Sequence, residues 1–247
     1  MGETRKKEKI KACIAIAVIV LAIILTGIIS MKYQVEGETN MPYTLSKIMI
    51  VSTAEGVHQE GAQEKWNLSV FQNNDIYFSI EKGKNNKEEL LESISIENIK
   101  ITKQPSLGEI KTYMPNSSEG RLFTYSEETI LPEQKITYRG ANKSNSKTLE
   151  IGNQGGTAVL RFSNTGIGNY ISNEEEEIKH DGSLIKKTGA QIQELQFEVN
   201  FDFIIQLKHK SYVSNISLTL PCGENLLEEG TCSEEIANEF VFKRDTK

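Results

Sequence analysis

Between Cys13 and Met31 the chain reads CIAIAVIVLAIILTGIISM, with no charge and no proline. A helix rises about 1.5 Å per residue and a bilayer's hydrocarbon core is about 30 Å thick, so roughly 20 apolar residues are needed to cross it. Ala12 to Met31 supplies that length. A helix that is apolar on every side suits a lipid surround better than the one-sided core contact of a soluble protein. The segment therefore predicts a single-pass transmembrane helix, with the lipid bilayer as its partner.

Its flanks predict a direction. Arg5, Lys6, Lys7, Lys9 and Lys11 precede the apolar run, opposed by Glu3 and Glu8, and a lone Lys32 follows it. Basic residues stay on the cytoplasmic side, so the expectation is a cytoplasmic tail over 1–11, a span over 12–31, a linker over 32–43 and an extracellular region over 44–247. A cleaved signal peptide has a shorter apolar core and small residues at its exit. The exit here, TGIISMKYQ, carries large residues, which favours a retained signal-anchor over a cleaved signal.

Charge narrows the partners. Of 28 basic and 34 acidic residues, 6 and 2 lie before residue 33, leaving the rest with 22 against 32 and a net charge of −10. An acidic balance of this size argues against nucleic acid or anionic lipid as the ligand of the exposed part.

Beyond the span, apolar residues recur with the period of two expected of half-buried strands. In LQFEVNFDFIIQL, Leu195, Phe197, Val199, Phe201, Phe203, Ile205 and Leu207 share one face. A turn at KHKS leads to Tyr212, Ile216, Leu218 and Leu220 in phase, which predicts a long hairpin. Trp66, Leu68 and Val70, then QNND, then Ile76, Phe78 and Ile80 read as a second hairpin turning at the polar tetrapeptide. A phase shift between Ile96 and Ile99 predicts a β-bulge at Glu97 and Asn98.

Further strands are expected over 45–52, 108–114, 135–139, 148–151, 157–163 and 239–243, with short helices over 87–91 and 224–229. The predicted fold class is mainly β: an antiparallel β-sandwich, Ig-like or jelly-roll-like, preceded by one transmembrane helix. The polar run RGANKSNSK over 139–147 either divides two subdomains or is a loop within one unit, and the second is favoured because the strands after it are few and uneven.

Motifs with chemistry are scarce. SLIKKTG places an S-x-x-K at Ser183 and Lys186 against a K-T-G, as penicillin-binding proteins use, but that family draws the two from distant segments and adds an S-D-N. S-x-x-K also recurs at Ser79 to Lys82 and Ser144 to Lys147, so it is cheap to produce by chance. His58, His180 and His209 stand apart from any nucleophile context. No catalytic, cofactor-binding or metal-ligating residue is therefore assigned.

Two cysteines remain outside the span. Cys222 and Cys232 bracket GENLLEEGT and are the candidate disulfide, with two free thiols as the alternative. Trp66 is the one tryptophan, and its register with Leu68 and Val70 favours a core position over a ligand platform.

The segments MPYTLSKIMIVSTAEG, KWNLSVFQNNDIYFSIEKG, IENIKI, GGTAVLRFSNTGIGNYIS and FVFKR resemble parts of single-span envelope proteins of clostridia-like Gram-positive bacteria. The resemblance carries no activity and no catalytic residues. It implies a bacterial cell envelope, and with the topology it leads to the expectation of a non-enzymatic, membrane-anchored protein. Its β-sandwich would contact another envelope protein or a wall polymer. Two alternatives belong to other classes: a polysaccharide or cell-wall hydrolase with an unassigned carboxylate pair, and a carbohydrate-binding module.

Overall fold

The structure is a computed structural model that describes residues 2–59, 66–84, 86, 88–116, 122–123, 130–131, 133–145, 148–172, 183–223, 225–237 and 240–245. One long helix, α1 (Gly2–Glu36), leads into eleven strands. The first seven are β1 (Tyr43–His58), β2 (Trp66–Lys82), β3 (Leu91–Lys103), β4 (Glu109–Tyr113), β5 (Ile136–Gly140), β6 (Leu149–Ile151) and β7 (Gly156–Ser172). Short helices α2 (Ser183–Thr188) and α3 (Ile192–Leu195) precede β8 (Phe197–Leu207) and β9 (Ser211–Leu220). Helix α4 (Leu226–Glu229), β10 (Thr231–Ile236) and β11 (Lys243–Asp245) follow.

The strands form two sheets, ordered β10-β1-β2-β7-β4 and β11-β9-β8-β3-β5-β6. Among the described residues every strand pairing is antiparallel except β5 with β6, which is parallel. Each sheet takes strands from both sides of 139–147, so that run is a connection inside the sandwich. Ile48, Ile50, Ile76, Phe78, Leu160 and Phe162 of the first sheet meet Ile94, Ile96, Phe197, Phe201, Phe203 and Ile205 of the second in one core. Phe78 is the pivot, with ring centroids 5.6 Å from Phe201 and 5.2 Å from Phe203. The Tyr138 hydroxyl pegs the sheets together: it donates to the Val159 carbonyl at 2.5 Å and accepts from the Val159 amide at 3.0 Å. Burial pushes its pKa up, as expected for a phenol that stays neutral there.

The hairpin β8–β9 and the bulge in β3 form as the apolar phase predicts. Pairing with β8 slips between Glu97 and Lys100, and Asn98 adopts φ 54°, a left-handed conformation that asparagine tolerates better than most residues. The second predicted hairpin is overturned. Residues 66–82 form one continuous strand, in which QNND lies mid-strand and buried rather than in a turn. The partners of β2 are β1 and β7 instead. Polar composition suggested solvent there, but inside the protein Gln72 and Asn74 hydrogen-bond each other, Asn73 accepts from Ser163 and Asp75 from Arg161. The helix expected over 87–91 is also absent at the described residues 88–90, and Leu91 opens β3. β10 was not anticipated, because its burial pattern leaves Thr231, Ser233, Glu234 and Glu235 exposed.

The stretch Cys13–Glu36 of α1 is long and apolar enough to cross a membrane, and none of it is buried in the protein. The helix continues unbroken past Met31, so Lys32 to Glu36 belong to it rather than to a linker. Its end is clamped by β11. The Arg244 amide donates to the Tyr33 hydroxyl at 2.8 Å, the Lys243 ammonium to the Gln34 side-chain carbonyl at 2.7 Å, and the Glu38 amide to the Phe242 carbonyl at 2.7 Å. Gly37, at φ 70°, turns the chain there, and a Cβ at that position would lie 2.3 Å from the Phe242 oxygen.

Candidate functional site

Two features stand out from the structural frame: a polar seam that ends at the two cysteines, and a groove beside the end of α1.

The seam interrupts the inner face of the first sheet over two successive levels on three neighbouring strands. Along β1 the inward residues run Ile50, Ser52, Ala54; along β2 they run Ile76, Asn74, Gln72, Val70; along β7 they run Phe162, Asn164, Ile167. Ile50, Ile76 and Phe162 belong to the main core. Ala54, Val70 and Ile167 belong to a second core, closed over the far end of the sheet by Leu184, Ile185, Ile192, Leu195 and Leu226 of the short helices and their flanks. Ser52, Gln72, Asn74 and Asn164 are fully buried between the two.

A buried polar group without a partner costs roughly 1–3 kcal/mol, so most of the layer is tied into hydrogen bonds, while Asn164 Oδ1 has no partner among the described residues. The Ser52 hydroxyl donates to Asn74 Oδ1 at 2.7 Å, and Gln72 Nε2 donates to the same oxygen at 2.8 Å. Asn74 Nδ2 returns a bond to Gln72 Oε1 at 3.1 Å, and Asn164 Nδ2 donates to the Leu107 carbonyl at 2.9 Å. Gly108 makes room for that amide, since a Cβ there would stand 1.9 Å from Asn164 Oδ1.

At its open end the seam meets the predicted cysteine pair. Ser52 is the register partner of Cys232 on β10, and its hydroxyl accepts from the Cys222 amide at 3.1 Å and lies 3.2 Å from the Cys222 sulfur. The Cys232 thiol rests against the Cys222 carbonyl, and both residues are free thiols in this structure. A hydrogen bond from Cys232, supported by Ser52, holds the Cys222 thiol below the ordinary thiol range, while the same contact and burial push Cys232 up. The sequence spacing found this pair. It gave no signal for Ser52, Gln72, Asn74 or Asn164, which are dispersed over more than a hundred residues.

The groove, about 750 Å³ in volume, lies on the outer face of the second sheet against Gln34 and Val35 of α1. Its floor carries Ser93, Ser95 and Glu97 of β3, Asp202 and Gln206 of β8, and Ser211 and Asn215 of β9. Asp202 anchors a ladder of amides, accepting from Asn98 at 2.7 Å and from Asn215 at 2.8 Å, and Asn215 exchanges bonds with Asn200. Glu97 pairs with Lys135 at 2.6 Å. The surface is therefore rich in preset hydroxyl, amide and carboxylate groups, chemistry that suits an extended polar polymer or a peptide.

The other motifs resolve into packing. In SLIKKTG, Leu184 and Ile185 plug the second core, Lys186 pairs with Glu228 at 2.8 Å, and Lys187 sits 4.6 Å from the Tyr170 ring centroid. His58 and His209 are exposed, and His180 lies outside the described residues. Trp66 is half-buried at the start of β2, with its Nε1 enclosed and lacking a hydrogen-bond partner among the described residues. Tyr113 and Tyr138 are buried, and no group of three or more His, Cys, Asp or Glu residues suited to a metal occurs among the described residues. No protein-family model, curated protein or solved structure matches the chain.

Proposed function

We propose that this chain is a non-enzymatic protein of a bacterial envelope, held in the membrane by α1 with its amino terminus in the cytoplasm. It displays the sandwich outside to bind another envelope protein or a wall polymer. The observation that carries the reading is the joint between the two parts. A helix whose large aliphatic side chains from Ile14 to Val35 are about half exposed or more ends in backbone and side-chain bonds to β11, beside a polar groove. The lipid surround accounts for the exposed apolar surface, and the clamp holds the groove at a set distance from the bilayer. Within the groove, Glu97 and Asp202 are engaged by Lys135 and by two amides, an arrangement that favours holding a ligand over acid–base chemistry.

A photoreactive residue in place of Gln206, in the full-length chain in intact cells, tests this. An adduct with a discrete envelope protein or with wall polymer is expected, together with loss of the sandwich to protease added outside. Protection from external protease, or adducts confined to lipid and cytoplasmic proteins, overturns the reading.

A further inference from the structure

Cys222 and Cys232 join parts of the molecule that are otherwise unequally held. Cys222 is 3% exposed and packs in the main core. Cys232 is half-buried on β10, an edge strand whose one neighbour is β1 and four of whose six residues are exposed. Beyond β10 the chain passes to Phe242 and β11, the clamp on α1. This edge strand thus leads into the joint with the apolar helix, and it reaches the core through Ile236 and the contact of Cys232 with Cys222. Gly230, at φ 74°, ends α4 and turns the chain into β10, so the loop between the cysteines is already closed.

We propose that Cys222 and Cys232 are a thiol–disulfide exchange site, in which an external disulfide RS–SR converts the pair to an intramolecular disulfide that fastens β10 to the core. Cys232, the more open of the two, attacks RS–SR as its proton passes to the Cys222 thiolate, forming a Cys232–SR bond and releasing one RS⁻, which takes that proton from Cys222. The Cys222 thiolate then attacks the Cys232 sulfur, forming the Cys222–Cys232 bond and releasing the second RS⁻. The two protein thiols lose two protons and two electrons, and RS–SR leaves as two RSH. The contact between the thiols eases the first deprotonation, which falls on Cys222, because its thiolate accepts a hydrogen bond from Cys232. Ser52 keeps the backbone of Cys222 in place throughout.

The test uses the full chain in micelles, with Cys13→Ser to remove the thiol in α1, exposed to oxidised glutathione and then denatured and alkylated. The expected product is about 2 Da lighter than the reduced protein, takes up no alkyl group, and yields a linked pair of peptides after cleavage at the glutamates between the cysteines. Its Tm should exceed that of the reduced protein by roughly 5–10 °C, because a short closed loop removes disorder from the unfolded chain. A Cys222→Ser/Cys232→Ser variant should lose the dependence on reductant. Uptake of two alkyl groups, or a glutathione adduct that persists on Cys232, overturns the exchange site. A bond that forms without raising Tm overturns the fastening.

Discussion

Strands β8 and β2 occupy central positions in their sheets and face each other, yet they are built on different rules. Along β8 the burial alternates without exception, with Phe197, Val199, Phe201, Phe203, Ile205 and Leu207 inward and Glu198, Asn200, Asp202, Ile204 and Gln206 outward. Along β2 five consecutive residues, Gln72 to Ile76, are buried. Two coverings cause this. Gln72 and Asn74 lie in the seam between the two apolar cores, while Asp75 and its neighbour Arg161 are covered on the outer face by Phe123, whose ring centroid is 4.4 Å from the guanidinium. A strand wetted on one side is specified by alternation. A strand covered on both sides needs its polar residues matched one by one to partners on other strands.

The sharpest way to break the apolar side of this contrast is Phe203→Ala, which empties the contact with Phe78 and Phe242. A loss of about 3–5 kcal/mol is expected in urea unfolding. On the polar side, Arg161→Met leaves Asp75 without its bidentate partner, at 2.5 and 2.8 Å, in a site where both side chains are only 11% and 13% exposed. About 3 kcal/mol should be lost, and most of it should return when Asp75 is also made apolar, because the penalty is the uncompensated buried charge. Full stability loss in the double variant would show that the pair contributes more than mutual neutralisation.

The seam provides a finer test. Asn74→Ala should cost roughly 2–3 kcal/mol by orphaning the Ser52 hydroxyl and the Gln72 amide. Ser52→Ala, Gln72→Leu and Asn74→Leu together should cost less than Asn74→Ala alone, since the triple change orphans the Cys222 amide where the single change orphans two groups, and the two cores can merge. A triple variant less stable than the single would mean that the network holds the sheet by more than satisfied hydrogen bonds. The smallest effect is expected at an exposed pair: Lys186→Ala, which removes the contact to Glu228 with side chains 61% and 70% exposed, should change stability by about 0.5 kcal/mol or less.

The bulge at Glu97 and Asn98 was legible because a break in apolar phase is a local event, written into adjacent residues. The seam was not. QNND carries the composition of a turn, and nothing within the tetrapeptide states that Ser52 and Phe162 stand opposite Asn74. The strand β10 was hidden for a related reason: an edge strand with mostly exposed side chains carries no period, and its existence rests on backbone bonds to β1. Likewise SLIKKTG looked like chemistry because Ser, Lys and Gly recur in catalytic motifs, whereas the residues that matter to the fold are Leu184 and Ile185 between them.

By itself, then, the sequence determined the apolar helix, the mainly β class, the β8–β9 hairpin, the bulge and the proximity of Cys222 to Cys232. All of these depend on neighbours within a few residues or on a period that one strand carries whole. Tertiary structure alone decided that QNND is interior, that two cores are separated by a hydrogen-bonded layer, that β11 clamps the end of α1, and that Ser52 touches Cys222. Those are contacts between groups tens to hundreds of residues apart, and the free energy that selects them is set by what surrounds a polar group once it is buried.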